Sequence, residues 1–228
     1  WSLLIDLVEY LMKLQRILPS HFVESEALRK QWEERERGYA SYINALVLEW
    51  EQRALGGLAE IEVVNAAKEV LARKRNRVYV FTRELLGALK SCGYACAAIS
   101  GSPKQIVEVF GQAWGFDYVL GSEMVLDRRG IFSRDQSKAV KYMFDKGAAY
   151  EMVVKKLHVD TEASIAIGDS SSDLSLLNKV EFPIAFNPEA SLLKHARQTG
   201  LPVVLERKNV ITALRTMPNF TIVEMTAF

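Results

Sequence analysis

The sequence predicts an α/β protein, a mostly parallel Rossmann-like sheet flanked by helices and preceded by a helical segment. Three observations carry that prediction. The first 73 residues place apolar side chains at helical spacing. After the basic stretch Arg73–Arg77 the texture changes to short apolar runs separated by amphipathic helices, which is the βαβ signature of a mostly parallel sheet. Two of those apolar runs end in small polar loops leading into helices, the place where ligands bind in open α/β sheets.

Composition narrows the possible functions. The chain has 228 residues, 49% hydrophobic and 25% charged, enough for one medium domain or a core with a smaller companion. Its 29 Lys and Arg against 28 Asp and Glu leave a formal charge of +1, so no bulk charge draws it toward nucleic acid or anionic lipid. Cys92 and Cys96 are not spaced as Cys-x-x-Cys, which removes a zinc or disulfide framework and makes them expected core residues. The apolar run Trp1–Leu18 is interrupted by Asp6, Glu9, Lys13 and Arg16, so a soluble, cytoplasmic protein is expected rather than a signal peptide or a membrane span.

Two domains are expected, residues 1–73 and 74–228. In the first, Leu4, Leu7, Val8, Leu11, Leu14 and Leu18 form one helical stripe. A second and a third helix carry Leu28 and Trp32, then Tyr39 to Trp50, with breaks at Pro19, Gly38 and Gly56-Gly57, and a fourth runs from about Ile61 to Leu71. In the second domain the expected strands are Tyr94–Ile99, Phe116–Leu120, Ser164–Ile167, Phe182–Phe186 and Pro202–Leu205. The expected helices are Thr82–Ser91, stopped by Gly93, and Glu189–Thr199, stopped by Gly200. Asp127 and Gly130 mark Glu123–Phe132 as a β-excursion.

Three stretches carry chemistry. Ile165-Ala-Ile-Gly-Asp-Ser-Ser-Ser-Asp173 is an apolar strand delivering Asp169 and Asp173 onto a loop that enters a helix. Hard oxygen ligands there suit Mg²⁺, although acids in this position also cap helices. Ala97-Ala-Ile-Ser-Gly-Ser-Pro103 ends a second strand in Ser100, Gly101 and Ser102, whose hydroxyl and N–H groups suit a phosphate oxygen as well as an ordinary strand-to-helix turn. Lys146 opens a helix leading to the Asp169 strand, where its charge could offset a phosphate or simply face solvent.

In order and spacing these stretches resemble the haloacid dehalogenase superfamily, in particular its phosphatases related to phosphoserine phosphatase. Ser100 stands where the family's second motif has Ser or Thr, Lys146-Gly147 where its third has Lys, and Gly168, Asp169 and Asp173 where its fourth reads Gly-Asp-x-x-x-Asp. The resemblance covers Thr82 to Leu205 and implies a Mg²⁺-dependent phosphomonoester hydrolase acting on a small phosphorylated metabolite through an aspartyl-phosphate. Ser100, Gly101 and Ser102 would hold phosphate with Lys146 balancing charge. Asp169 and Asp173 would serve the metal, Asp169 as ligand and Asp173 as support of the loop, and residues 1–73 would be the family's α-helical cap.

The family's first motif, Asp-x-Asp-Gly-Thr, which carries the nucleophile, does not occur in the 228 residues. The chain begins at Trp1 and its first methionine is Met12, so the expectation is that the motif and its central strand lie upstream. The chain alone would then be marginally stable, with strand edges unpaired. The alternative makes Leu4–Glu9 a decayed first motif with Asp6 at the nucleophile position. A non-catalytic module that keeps a phosphate pocket as a ligand- or partner-binding surface is the rival function.

Overall fold

A computed structural model describes residues 2–141, 145–207, 210–217 and 220–227. The chain divides into two compact units, one built from Trp1–Arg77, Ser100–Gly115 and Val119–Lys141, the other from Val78–Ile99, Phe116–Tyr118 and Tyr142–Phe228.

In the first unit the helical stripes become α1 (Leu3–Lys13), α2 (Val23–Glu33), α3 (Tyr39–Glu49) and α4 (Glu60–Lys74), with α6 (Lys104–Trp114) joining them. Each break expected from sequence has a physical counterpart. Pro19 starts a short 3₁₀ turn, Gly38 precedes the first turn of α3, and Gly57 takes a φ of 93° after one turn of π-helix, Trp50–Ala54. The apolar faces close on a core that includes Leu7, Leu11, Trp50, Leu55, Val63 and Phe132. Of the aromatic residues in this segment, Trp50 and Tyr42 are buried, whereas Trp32 and Tyr39 stay about two-fifths exposed and pack on Tyr42 and on one another. Asp6 lies inside α1 and pairs with Lys74 of α4, so the segment Leu4–Glu9 is helix rather than a strand presenting a nucleophile.

The expected α/β sheet is present. Strands β3 (Ile165–Gly168), β4 (Phe182–Phe186) and β5 (Val203–Arg207) run parallel in that order. Helices α7 (Lys146–Leu157), α8 (Leu174–Leu177) and α9 (Ala190–Thr199) connect or flank them. Ala166, Leu177, Ala185, Leu192, Ala196 and Val203 form the core between sheet and helices. Gly200, in the left-handed region at φ 77°, ends α9 as a residue with a Cβ could not do without strain. The sheet continues antiparallel into β6 (Val210–Met217) and β7 (Phe220–Ala227), giving the order β3-β4-β5-β6-β7. That hairpin was not anticipated.

Strands β1 (Ala97–Pro103) and β2 (Tyr118–Ser122) form a separate two-stranded sheet, and α5 (Val80–Ser91) precedes them. Strand β1 runs two residues beyond the Ser-Gly pair that was expected to leave the strand. Of the two cysteines only Cys96 is buried; Cys92 is exposed because it caps the C-terminus of α5. The excursion around Asp127 holds, with the Asp127 carboxylate accepting from Arg129 and Ile131 N–H and Gly130 at φ 73°.

Candidate active site

Strand β3 is short and apolar, and it stops at Gly168 for a steric reason. A Cβ on Gly168 would lie 2.5 Å from the Asp173 Cβ and 2.8 Å from its Cγ and Oδ2. The chain therefore folds back over its own strand end, and Asp173, 3% exposed, sits beneath the loop it closes. Asp173 Oδ2 accepts from Asp169 N–H at 2.9 Å, Ser170 N–H at 3.0 Å and the Ser170 hydroxyl at 3.2 Å, while Oδ1 pairs with Lys146. Burial alone would raise the Asp173 carboxyl. The Lys146 charge and hydrogen bond, with the Ser170 and Asp169 N–H groups, outweigh it and hold the group below the usual aspartate value.

Lys146 reaches that carboxylate because of how α7 begins. Asp145 caps the helix by accepting from Ala148 N–H at 2.9 Å, which sets Lys146 as its first residue. Gly147 donates to Ser175 Oγ at 3.1 Å, and a Cβ there would stand 2.7 Å from the Ser175 carbonyl oxygen. The Lys-Gly pair thus works as a unit, since the glycine permits the close approach that brings the lysine onto Asp173.

Asp169 differs from its neighbour, lying exposed at the loop surface. Desolvation and the adjacent Asp173 charge raise its pKa, and Lys146 offsets only part of the effect. The loop thereby presents one incompletely compensated carboxylate at the C-terminal end of a parallel strand, where a cation would relieve it. The donor chemistry fits Mg²⁺, which takes one or two carboxylates and keeps several waters. Among the described residues no group of three or more His, Cys, Asp or Glu is arranged to hold a metal ion. A cation here would rest on Asp169 together with water or substrate oxygens, because Asp173 is already occupied by four donors.

The structure thus brings together Lys146, Asp169 and Asp173 of the residues singled out in the sequence. Ser100, Gly101 and Ser102 belong to the other unit. There Ser100 Oγ accepts from Ser102 N–H at 3.1 Å, while the Gly101 carbonyl accepts from Ser122 Oγ at 2.8 Å. Sequence reasoning missed Glu189, taken only as the start of a helix. Its Oε1 accepts from Ser171 N–H and Ser171 Oγ, both at 2.8 Å, and from Ser191 Oγ at 2.6 Å, and its own N–H donates to the Asp169 carbonyl at 2.8 Å. Three serines in a row, with a glutamate just beyond the next strand, were the available signal.

A family model described as haloacid dehalogenase-like hydrolase matches residues 15–178, most of the chain and all of the loop just described. The chain belongs to that family. Among curated relatives within reach of this haloacid dehalogenase-like chain, a phosphoserine phosphatase of Archaeoglobus fulgidus is 26% identical over 126 residues, covering 54% of this chain and 36% of the relative. A phosphoserine phosphatase of Methanocaldococcus jannaschii is 28% identical over 103 residues, covering 45% and 48%. The chain therefore spans half or less of each of these relatives. A solved structure of a phosphoserine phosphatase as a phospho-aspartyl intermediate analogue superposes with a TM-score of 0.53 at 19% identity, covering 85% of this chain and 83% of that one, which shows the shared fold. Among the described residues no helix is long and apolar enough to cross a membrane.

Proposed function

We propose that this haloacid dehalogenase-like chain serves a Mg²⁺-dependent phosphomonoester hydrolase acting on a small phosphorylated metabolite. The observation that carries the reading is the placement of Asp169: a carboxylate at a parallel strand's C-terminal end, on a loop that Asp173 and Lys146 hold in place. Asp169 would hold the ion, which when bound supplies positive charge to a phosphoryl group. Asp173 fixes the loop and keeps Lys146 in place, and the lysine adds charge of the same sign for the in-line transfer. The family resemblance would give Ser100, Gly101 and Ser102 the phosphate-holding role. It also implies an aspartyl nucleophile, and none of the 228 residues supplies it in an Asp-x-Asp-Gly-Thr motif. The phosphoserine phosphatases among its relatives make phosphoserine the first substrate to try.

Phosphate release by the product of the complete gene, measured on phosphoserine and a panel of phosphomonoesters with and without Mg²⁺, tests the proposal. The expected result is metal-dependent release that Asp169→Asn reduces by at least about 100-fold, the scale on which losing charge stabilisation slows a transfer. One observation favours a second reading: none of the 228 residues forms an Asp-x-Asp pair. Mg²⁺ and phosphate binding without release from any substrate would establish a non-catalytic binding module instead.

A further inference from the structure

We propose that Glu189 is a positioning residue for Asp169, holding the intervening loop in the conformation that presents the Asp169 carboxylate to a cation. The proposal rests on the phosphatase reading of that loop and adds to it a residue outside the three sequence motifs.

Glu189 occupies the residue before α9, a place where an acidic side chain ordinarily turns inward to accept from its own helix's first N–H groups. It makes no such bond. Its Oε1 accepts instead from Ser171 N–H and Ser171 Oγ in the loop after β3, and from the Ser191 hydroxyl in the first turn of α9. The base from which it reaches is firm. Asn187, in the left-handed region at φ 44°, donates its N–H to the Val204 carbonyl at 2.8 Å and accepts from Glu206 N–H through Oδ1 at 2.9 Å, tying the end of β4 to β5.

Asp173 and Glu189 divide the loop between them. Asp173 takes the N–H groups of Asp169 and Ser170; Glu189 takes the N–H of Ser171 and donates to the carbonyl of Asp169. The backbone is therefore fixed on both sides of Asp169, through bonds to its N–H and its carbonyl rather than to its carboxylate. Two of the three bonds to the Glu189 carboxylate come from Ser171 of the loop and one from the Ser191 hydroxyl of α9. Groups that orient a metal ligand from behind typically change metal affinity 10- to 100-fold when removed.

The test is a calorimetric Mg²⁺ titration of the full chain, with thermal melts of each variant. Wild type should bind and Asp169→Asn should not. Glu189→Ala should bind 10- to 100-fold more weakly, measured well below the variant's own melting temperature. Glu189→Gln, whose amide oxygen can still accept from Ser171 and Ser191, should recover affinity to within a few-fold. Wild-type affinity in Glu189→Ala overturns the inference and leaves the phosphatase reading standing. Equal loss in Glu189→Gln and Glu189→Ala also overturns it, because charge rather than position would then be what matters. Absence of binding in wild type, or unaltered binding in Asp169→Asn, overturns the reading of the loop and this inference with it. Should Glu189→Ala fail to fold, Glu189→Asp keeps the charge but shortens the reach, and carries the same expectation of weakened binding; wild-type affinity there overturns the inference.

Discussion

Both units bury carboxylates, and they treat them differently. In the helical unit the acid–base pairings are structural: Asp6 of α1 pairs with Lys74 of α4, Glu51 of the π-turn pairs with Lys141, and Glu49 of α3 accepts from Glu24 N–H at 2.9 Å and Ser25 N–H at 3.0 Å. Those two N–H groups open α2, whose own preceding residue Phe22 has no side chain able to cap it, so Glu49 supplies the missing cap from a neighbouring helix. The sheet unit satisfies Asp173 and Glu189 just as fully but leaves Asp169 facing a like charge. A satisfied buried acid locks structure, and an exposed one beside a like charge, on a backbone held by satisfied neighbours, is poised for a ligand.

Removing satisfied acids should therefore be costly, and the largest effect belongs to Asp173. Asp173→Ala strands the Lys146 ammonium and the Asp169 and Ser170 N–H groups, and breaking a buried pair in this way costs about 3–5 kcal/mol. Urea unfolding monitored by circular dichroism would show it, and a loss below 1 kcal/mol would mean that the loop is held by something else. Gly168→Ala comes next. A methyl 2.5 Å from the Asp173 Cβ forces strand end or loop to move, with an expected loss of about 1–3 kcal/mol read in the same experiment.

In the helical unit, Glu49→Ala should cost about 0.5–2 kcal/mol, the range for a lost helix cap, visible as a lower melting temperature. Its pH dependence has a definite sign. Burial alone would raise the Glu49 carboxyl, but its bonds to Ser25 and Glu24 and the Arg53 charge hold it below the ordinary glutamate value. Its stabilisation is therefore present above the unfolded value of about 4.3 and is lost as pH falls through the lower folded value. Glu49→Gln should flatten that part of the stability profile. An unchanged acid limb in the variant would show that Glu49 does not contribute to it.

Much of this was legible in the sequence. Apolar periodicity located α1 to α4, and the short apolar runs located β3 and β4 within a residue, because each is a continuous apolar segment between polar loops. The strand end at Gly168 was also readable, since glycine before paired aspartates has a steric reason to be there. The hairpin β6–β7 escaped because its residues mix threonine, methionine and charged side chains without a long apolar run. Antiparallel pairing does not require one, and a Pro-Asn dipeptide between the two runs was the signal available. The division of labour inside the loop, Asp169 as ligand and Asp173 as support, came from the family resemblance. The fold-back over Gly168 gives its physical reason, burying Asp173 as an acceptor and leaving Asp169 at the surface. Glu189 lies 20 residues beyond Asp169 in the chain and reaches the loop through sheet topology, which local patterning does not encode.

The most direct test of the contrast is Asp169→Asn, followed by thermal melting and Mg²⁺ calorimetry on the same sample. Its raised pKa means that the ionised form is disfavoured in the folded state, so removing the charge at neutral pH should leave the melting temperature unchanged or higher while abolishing Mg²⁺ binding. A variant that melts markedly lower and still binds Mg²⁺ like wild type would contradict the account, making Asp169 one more structural acid of the kind that fills the helical unit.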